Sequence, residues 1–361
     1  MKPVYIIAEA GVNHNGSREM AFDLVDAAVQ AGADAVKFQT FKAENLVTKS
    51  AQKASYQKLT TDGDESQFSM LKRLELTYEM HHELASYCQC QDKDIDFLST
   101  AFDSESLNFL VKDIGLKNLK IPSGEITNGP LLLEHALTGC DLILSTGMAT
   151  LGEVEDALGV LAFGLLNASN TQVDPSRVAF EEAFLSEEGR RLLKEKVTLL
   201  HCITEYPAPM NEINLNAMLT MHNVFGLKVG YSDHSEGITI PTAATALGAT
   251  LVEKHFTLDK SLPGPDHKAS LNPDELKVMV DVIRTVEVAM GNGMKRPMPS
   301  ELKNREIVRK SLVAAQEINE GETFTEENLV IKRPGNGISP MNYWDSLGGT
   351  ATKHLHPDQP L

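Results

Sequence analysis

Eight short apolar runs rich in β-branched residues recur along the chain, each followed by a segment with a helical period near 3.6 residues. Such runs predict buried strands, and the amphipathic segments between them predict covering helices. Eight alternations fit a (β/α)₈ barrel, whereas a doubly wound sheet lacks support because no glycine-rich dinucleotide loop is present. The runs are Val4–Ala8, Ala35–Gln39, Asp96–Thr100, Asn118–Ile121, Asp141–Ser145, Val197–Cys202, Leu227–Gly230 and Thr250–Glu253.

Charge and composition narrow the class of protein. The sequence has 361 residues, with 33 Lys and Arg against 50 Asp and Glu, and a net charge of −17. That acidic balance disfavours non-specific binding to nucleic acid or to anionic membranes. No apolar run reaches the ~18 residues of a membrane span, and four cysteines are too few for a disulfide framework. We therefore expect a cytoplasmic protein with neither a nucleic-acid nor a membrane partner.

The composition also predicts the domain organisation. The barrel pattern accounts for residues 1–290, and residues 291–307 have the Gly, Lys, Pro and Ser content of a linker. Residues 308–361 would form a small second domain, near the lower size limit for an independent core. A polar segment at 168–196 is predicted to be a peripheral insertion on the face where the strands begin.

Polar residues cluster where the predicted strands end. In a (β/α)₈ barrel this face contains the active site. The strand ends contribute Glu9, Lys37, Gln39, Thr100, Lys120, Ser123, Glu125, Ser145, Thr204, Tyr206, Ser232, Asp233, His234, Glu253 and His255. We therefore expect these side chains to meet at the mouth of the barrel.

His234 and His255 end the seventh and eighth predicted strands. Neighbouring strands lie about 4.8 Å apart, so the two imidazoles can share one cation. Ligands without thiolate favour Mn²⁺, Mg²⁺, Co²⁺ or Zn²⁺ over soft metals. The alternative is a pair of hydrogen-bonded core histidines.

Lys37 and Lys120 lie within apolar runs, where an ammonium is costly unless an anion accompanies it. Together with the hydroxyls of neighbouring strand ends they predict a pocket for a phosphate or carboxylate. The alternative is a buried ion pair of a lysine with Glu9 or Glu125.

Those two glutamates are also candidate acid and base groups, or structural ones. The Pro-Gly-Pro sequence at 263–265 predicts a rigid loop that places Asp266 over the barrel mouth, in reach of sugar hydroxyls; the alternative is an ordinary turn.

Seven segments, spread over nearly the whole chain and in the family's order, resemble the sialic acid synthase family, also called nonulosonate synthases. The resemblance implies a TIM barrel followed by a small antifreeze-like (SAF) domain, in a domain-swapped homodimer. The segments are Ile7–Gly16, Lys37–Thr40, Lys120–Glu125, Ser145–Met148, Gly230–His234, Glu253–Phe256 and Lys332–Gly337.

The resemblance implies a carbon–carbon bond-forming transferase. It would join phosphoenolpyruvate to an N-acetylated mannose-type aldose, either N-acetylmannosamine or 2,4-diacetamido-2,4,6-trideoxymannose, and release phosphate with a nonulosonic acid. A divalent metal on His234 and His255, Mn²⁺ before Mg²⁺ or Co²⁺, would polarise the aldehyde. Glu125 would activate the water that adds at carbon 2.

The motif matches also imply which residues bind each substrate. Phosphoenolpyruvate would contact Lys37, Thr100, Lys120, Ser123, Ser145 and Ser232. The sugar would contact Glu9, Gln39, Phe102, Tyr206 and Asp266, and Arg333 would reach into the partner's barrel. Ala101 stands where the family usually has proline, and Thr204 where some members have asparagine.

Within the family, the segments Gly264–His267 and Arg333–Gly337 are similar to the N-acetylneuraminate and legionaminate branches rather than to the pseudaminate branch. The residues of segment 53–67 favour legionaminate. Two other functions fit the residues alone: a metal-dependent TIM-barrel aldolase or sugar isomerase, and a carbohydrate-binding module on an inert barrel.

Overall fold

The computed structural model describes residues 3–54, 57–58, 61, 65–90, 92–168, 172 and 174–361. It divides the chain into two compact units, Met1–Gly291 and Asn292–Leu361. In the described part of the first unit, eight parallel strands close into a barrel in chain order, which confirms the predicted fold. The strands are β1 (Tyr5–Gly11), β2 (Ala35–Thr40), β3 (Asp96–Ala101), β4 (Asn118–Ile121), β5 (Asp141–Ser145), β6 (Val197–His201), β7 (Lys228–Asp233) and β8 (Leu251–His255).

Helices connect the strands, and local sequence fixes several of their ends. Ser17 caps the first helix by accepting from the Met20 amide, and Gly32 ends it at a φ of 80°. The helices of this unit are α1 (Arg18–Ala31), α2 (Ala43–Leu46), α3 (Gln67–Leu74), α4 (Tyr78–Cys88), α5 (Ser104–Phe109), α6 (Gly129–Leu137), α7 (Leu151–Leu166), α8 (Arg177–Leu185), α9 (Glu187–Lys196), α10 (Asn216–Phe225), α11 (Thr239–Ala246) and α12 (Pro273–Met290). In the described residues, no helix is long and apolar enough to cross a membrane.

The 168–196 segment, predicted to be a peripheral insertion, forms α8 and α9 in its described part. Phe180 of α8 packs edge-on against Phe163 of α7, with ring centroids 5.3 Å apart. Gly159 permits this approach, because a Cβ there would lie 3.1 Å from the carbonyl oxygen of Phe180. The segment therefore extends the helical layer beside α7.

An apolar layer crosses the inside of the barrel. It consists of Ile7, Ala35, Leu98, Ile143, Leu200 and Leu251, each at most 6% exposed. Side chains two residues apart on a strand share a face. The next inward positions are therefore Glu9, Lys37, Thr100, Ser145, Cys202 and Glu253, all of which line one cavity. The barrel is thus apolar inside and polar at its mouth.

The second unit is built around an antiparallel pair, β9 (Ser311–Ala314) and β10 (Leu329–Lys332), with Leu329 opposite Ala314. It also contains α13 (Pro299–Val308) and α14 (Tyr343–Ser346). Much of the segment predicted as a linker is therefore helical, starting at a proline that suits the first helical turn. The buried apolar cluster of this unit is Ala314, Ile318, Leu329, Ala351 and Leu355.

We expect Leu200→Ala to lower the free energy of unfolding by roughly 2–5 kcal/mol, because Leu200 is fully buried in the apolar layer. Denaturant unfolding measures the change. Val178→Ala is the matched control, since Val178 is 64% exposed, and should change stability by less than about 0.5 kcal/mol. Equal losses in both variants would mean that the layer does not stabilise the barrel.

Candidate functional site

A cavity of about 380 Å³ opens at the face where the barrel strands end. Every residue of the first unit to which the family resemblance gives a role lines it: Glu9, Lys37, Gln39, Thr100, Phe102, Lys120, Ser123, Glu125, Ser145, Tyr206, Ser232, His234, His255 and Asp266. Of the other strand-end residues expected at the barrel mouth, Thr204 and Glu253 also line the cavity, whereas the expectation for Asp233 is wrong, because alternation along β7 turns its side chain to the outer face, where it pairs with Lys254. The remaining predicted residue, Arg333, belongs to the second unit and is exposed there. The structure thus brings together fourteen side chains that the sequence places on separate strands and loops.

Strand register explains the convergence. Strand β1 pairs with both β2 and β8, so that Glu9 lies opposite Lys37 on one side and opposite His255 on the other. On the far side of β2, Thr100 of β3 lies opposite Lys120 of β4. Parallel pairing at a shared depth therefore turns positions far apart in the sequence into neighbours.

Two lysines and two glutamates form a continuous buried charge cluster in the cavity. The Nζ of Lys37 lies 2.7 Å from Oε2 of Glu9 and 3.5 Å from Oε2 of Glu253. The Nζ of Lys120 lies 3.3 Å from Oε1 of Glu253, which also accepts a 2.8 Å hydrogen bond from Ser232. The four charged side chains are at most 5% exposed. The Lys–Glu pair foreseen as an alternative exists for Glu9, whereas Lys120 pairs with Glu253 and not with Glu125.

The groups of this cluster differ in the direction in which their pKa values are shifted. Burial raises the pKa of Glu9 to about 7, the charge of Glu253 adds to the rise, and Lys37 opposes it. Burial alone would raise the pKa of Glu253 too, but Lys120 and Lys37 hold it far below its usual range. Burial opposes the charged form of Lys37, yet Glu253 and Glu9 raise its pKa. At neutral pH, Glu253 is therefore ionised, Lys37 is protonated, and Glu9 can accept or release a proton.

The two histidines face each other across the cavity, with ring centroids 5.6 Å apart. The Nδ1 of His234 donates to the carbonyl oxygen of Ile203 over 2.5 Å, which fixes the ring and leaves Nε2 toward the hydroxyl of Tyr206 at 3.0 Å. The Nδ1 of His255 is buried without a hydrogen-bond partner among the described residues, 4.0 Å from Oδ2 of Asp266. This pair fits a divalent cation.

Burial also keeps both imidazoles in the form that binds metals. Burial lowers the pKa of His234 to about 4. It also lowers the pKa of His255, and the neighbouring His234 adds to that decrease. Both rings are therefore neutral at physiological pH, with a nitrogen lone pair available for a metal.

A second ion pair lies behind the histidines, on the outer side of the strands. Lys254 and Asp233 are register partners on β8 and β7, and the Nζ of Lys254 lies 2.5 Å from Oδ2 of Asp233. Both side chains are fully buried, and Lys254 also donates to the carbonyl oxygen of Ser235. Because Asp233 precedes His234 and Lys254 precedes His255, the pair fixes the backbone from which both histidines project.

The hydroxyl groups and Glu125 complete the polar wall. Ser145 and Thr204 have buried hydroxyls without a hydrogen-bond partner in the described residues, so a ligand can satisfy them. Glu125 ends a short 3₁₀ turn, Ser123–Glu125, and accepts from the side-chain amide of Asn128 over 2.7 Å. Ala101, noted as a departure from the family pattern, is buried and lies two residues before Asp103, which caps α5.

The sequence predicts Glu253 at the barrel mouth but assigns it no role, and it does not predict an apolar wall of the cavity. Leu251, Glu253 and His255 are two residues apart along β8 and therefore share its inward face, and this period of two was the available signal. The apolar wall is formed by the segment after β2 and by α3, and the strand pattern of the sequence does not predict it. Its cavity-lining residues are Phe41, Leu46, Val47, Met70, Leu71 and Leu74.

Comparisons with known proteins identify the family of the chain. Residues 24–295 match the NeuB family, and residues 309–361 match the SAF domain. The chain belongs to the NeuB family. It is 51% identical to an N,N'-diacetyllegionaminic acid synthase of Campylobacter jejuni, over 99% of each chain.

Further NeuB-family similarity extends over most of the chain. An N,N'-diacetyllegionaminic acid synthase of Legionella pneumophila is 44% identical, over 97% of this chain and 91% of that protein. The crystal structure of an N-acetylneuraminic acid (sialic acid) synthetase from Leptospira borgpetersenii, in complex with citrate, has a TM-score of 0.65 at 32% identity. That match covers 84% of this chain and 90% of the other. The predicted family is thereby confirmed.

We expect Lys254→Met to lower the free energy of unfolding by roughly 3–5 kcal/mol, because it leaves the buried charge of Asp233 uncompensated. The double variant Asp233→Asn with Lys254→Met removes both charges and should regain most of the loss. Lys277→Met is the control, since Lys277 lies in an exposed ion pair. Denaturant unfolding that shows no difference between Lys254→Met and this control would refute the interpretation.

Proposed function

We propose that this protein is the synthase that condenses phosphoenolpyruvate with 2,4-diacetamido-2,4,6-trideoxymannose to form N,N'-diacetyllegionaminic acid and phosphate. The reaction class is condensation of phosphoenolpyruvate with a sugar to a nonulosonic acid by a carbon–carbon bond-forming transferase, as the family assignment and the similarity to legionaminic acid synthases indicate. The observation that most supports the site is the meeting of Lys37, Lys120, Glu9 and two neutral histidines in one cavity.

Phosphoenolpyruvate binds over the two lysines. Its phosphate and carboxylate are strong acceptors for ammonium and hydroxyl donors. Lys37 donates to the hydroxyl oxygen of Thr100 over 2.8 Å, which leaves the hydroxyl hydrogen of Thr100 to donate to the substrate. The complete subsite is Lys37, Thr100, Lys120, Ser123, Ser145 and Ser232, all of which line the cavity.

The sugar binds above, next to Gln39, Phe102, Tyr206 and Asp266. His234 and His255 would hold a divalent metal, Mn²⁺ before Mg²⁺ or Co²⁺, which supplies Lewis-acid polarisation of the aldehyde. Burial raises the pKa of Asp266 to about 7, so this carboxyl can donate as well as accept hydrogen bonds to sugar hydroxyls.

Glu9 and Glu125 donate and accept the protons of the reaction. Carbon 3 of phosphoenolpyruvate attacks the aldehyde carbon, and Glu9, with its pKa near 7, protonates the new alkoxide. Water then adds to carbon 2 and loses a proton to Glu125. The bond between carbon 2 and the bridging oxygen of the tetrahedral intermediate then breaks, the hydroxyl on carbon 2 gives its proton to the leaving phosphate, and a keto group remains.

The apolar wall supports the choice of sugar. Leu46, Val47, Met70, Leu71 and Leu74 give the cavity an apolar side. A 6-deoxy sugar with a second acetamido group presents two methyl groups to such a surface. N-acetylmannosamine would place hydroxyls there, which would lose hydrogen bonds to water. Of the 53–67 segment that favours legionaminate, residues 55–56, 59–60 and 62–64 lie outside the described residues.

We also propose a cytoplasmic homodimer in which the SAF domains are exchanged. The second unit exposes large apolar side chains, an arrangement typical of an interface. Met341 is 81% exposed and Trp344 is 75% exposed, and Met298, Leu302 and Ile307 are each at least half exposed. In the dimer, Arg333 would meet the acetamido group of a sugar bound in the partner's barrel.

The proposed reaction predicts phosphate release from phosphoenolpyruvate only when sugar is present, measured with Mn²⁺. 2,4-Diacetamido-2,4,6-trideoxymannose should give a higher kcat/KM than N-acetylmannosamine. His234→Ala should abolish turnover while the circular dichroism spectrum is unchanged. Release with neither sugar would refute the reaction, whereas faster release with N-acetylmannosamine would refute the branch assignment. Full activity after removal of all metal would refute the metal site.

Domain exchange predicts complementation between two inactive variants, His234→Ala and Arg333→Ala. A mixed dimer then has one complete site: the intact barrel of the Arg333→Ala chain with Arg333 supplied by its partner. Unfolding and refolding the two variants together should restore about a quarter of wild-type activity, because half of the dimers are mixed and each has one of two sites intact. Without exchange, both sites of the mixed dimer stay incomplete, and no recovery would occur.

A further inference from the structure

Three potential metal ligands meet on the surface of the second unit, in a cluster that the proposed reaction does not use. They are Glu317, His354 and His356, and one ligand atom from each lies within 4.8 Å of the other two. The Nε2 of His354 is 2.7 Å from Oε2 of Glu317, and the Nδ1 of His356 is 3.1 Å from Oε1 of the same carboxylate. The two imidazole centroids are 4.7 Å apart.

Backbone pairing, and not the chance proximity of flexible side chains, brings the three together. Ile318 and Leu355 form an antiparallel bridge, exchanging backbone hydrogen bonds of 3.0 and 2.9 Å. Both side chains are buried in the apolar cluster of this unit. Because side chains alternate along extended backbone, His354 and His356 flank Leu355 on the outer face, and Glu317 next to Ile318 lies on that same face.

We propose that Glu317, His354 and His356 form a divalent-metal site of the zinc type. Two imidazole nitrogens and a carboxylate oxygen are ligands that suit Zn²⁺, and they disfavour the all-oxygen cations Mg²⁺ and Ca²⁺. In a tetrahedral zinc site the ligand atoms lie about 3.3 Å apart, given metal–ligand bonds of about 2.0–2.1 Å. The imidazole nitrogens lie 2.7 and 3.1 Å from the two oxygens of the Glu317 carboxylate, somewhat closer than this spacing, and all three side chains are exposed enough to adjust.

The site would link two chain segments across the small second core. Its Ile318 and Leu355 belong to a buried apolar cluster of five residues. Cores of this size gain stability from a bound metal, which acts by binding the folded state alone. The ion is therefore expected to stabilise the SAF domain, and it is distinct from any ion on His234 and His255.

The test is equilibrium dialysis of the full-length chain, stripped with chelator, against low-micromolar Zn²⁺. His234→Ala with His255→Ala removes the barrel ligands, and this parent should retain one Zn²⁺ per chain. Adding His354→Ala or His356→Ala should weaken that binding at least tenfold, and Glu317→Gln should weaken it less. Glu320→Gln and His82→Ala are matched controls with exposed residues, and should bind as the parent does.

A second readout separates binding from folding. Zn²⁺ should raise the thermal unfolding midpoint of the parent, and should not raise that of His354→Ala with His356→Ala. If the barrel variant does not fold, the same comparison in the wild-type barrel should show a loss of one Zn²⁺ per chain. No zinc on the parent, or zinc that persists after loss of both surface histidines, would overturn the proposal. Failure of phosphate release would leave this result unaffected, since the measurement needs no turnover.

Discussion

The buried charges of Glu9, Lys37, Lys120 and Glu253 are the interaction on which the site depends. Each would be costly alone inside a barrel, and each is stabilised by an opposite charge from another strand. The carboxylate of Glu253 on β8 contacts both Lys37 on β2 and Lys120 on β4, and so connects three strands across the interior of the barrel. The cluster therefore requires a closed barrel, and once closed it holds two ammonium groups ready for an anionic substrate.

Much of this arrangement was predictable, because it follows from short-range patterns. The eight strands appear as apolar runs, and their carboxyl ends identify the face that contains the site. Alternation along a strand then selects the inward residues: Ile7 and Glu9 on β1, Leu251 and Glu253 on β8. The family resemblance supplied roles for these residues, which spacing alone could not give. The residues to which the resemblance gave roles in the first unit consequently line one cavity, whereas Asp233 at the end of β7 points away from it.

The parts that sequence reasoning missed depend on contacts between distant segments. Lys120 could have paired with Glu125, five residues away, and only the register across the barrel shows that it pairs with Glu253. The apolar wall comes from α3 and the segment after β2, whose helical pattern does not reveal which face turns toward the cavity. Helix α13 was hidden behind a run of Gly and Pro that is typical of a linker.

Strand β8 shows why the register matters to function. On its inward face, Glu253 pairs with Lys37 and Lys120, and His255 faces His234. Lys254 lies between them and points outward to Asp233. A slip of one residue in the register would turn Lys254 into the barrel and Glu253 outward to the helices. Both charges would then lack partners. The Lys254–Asp233 pair therefore disfavours the wrong register, and it does so on the face away from the substrate. Because alternation along one strand separates these two contacts, the Lys254–Asp233 pair fixes the backbone of β8 while Glu253 and His255 stay directed into the cavity.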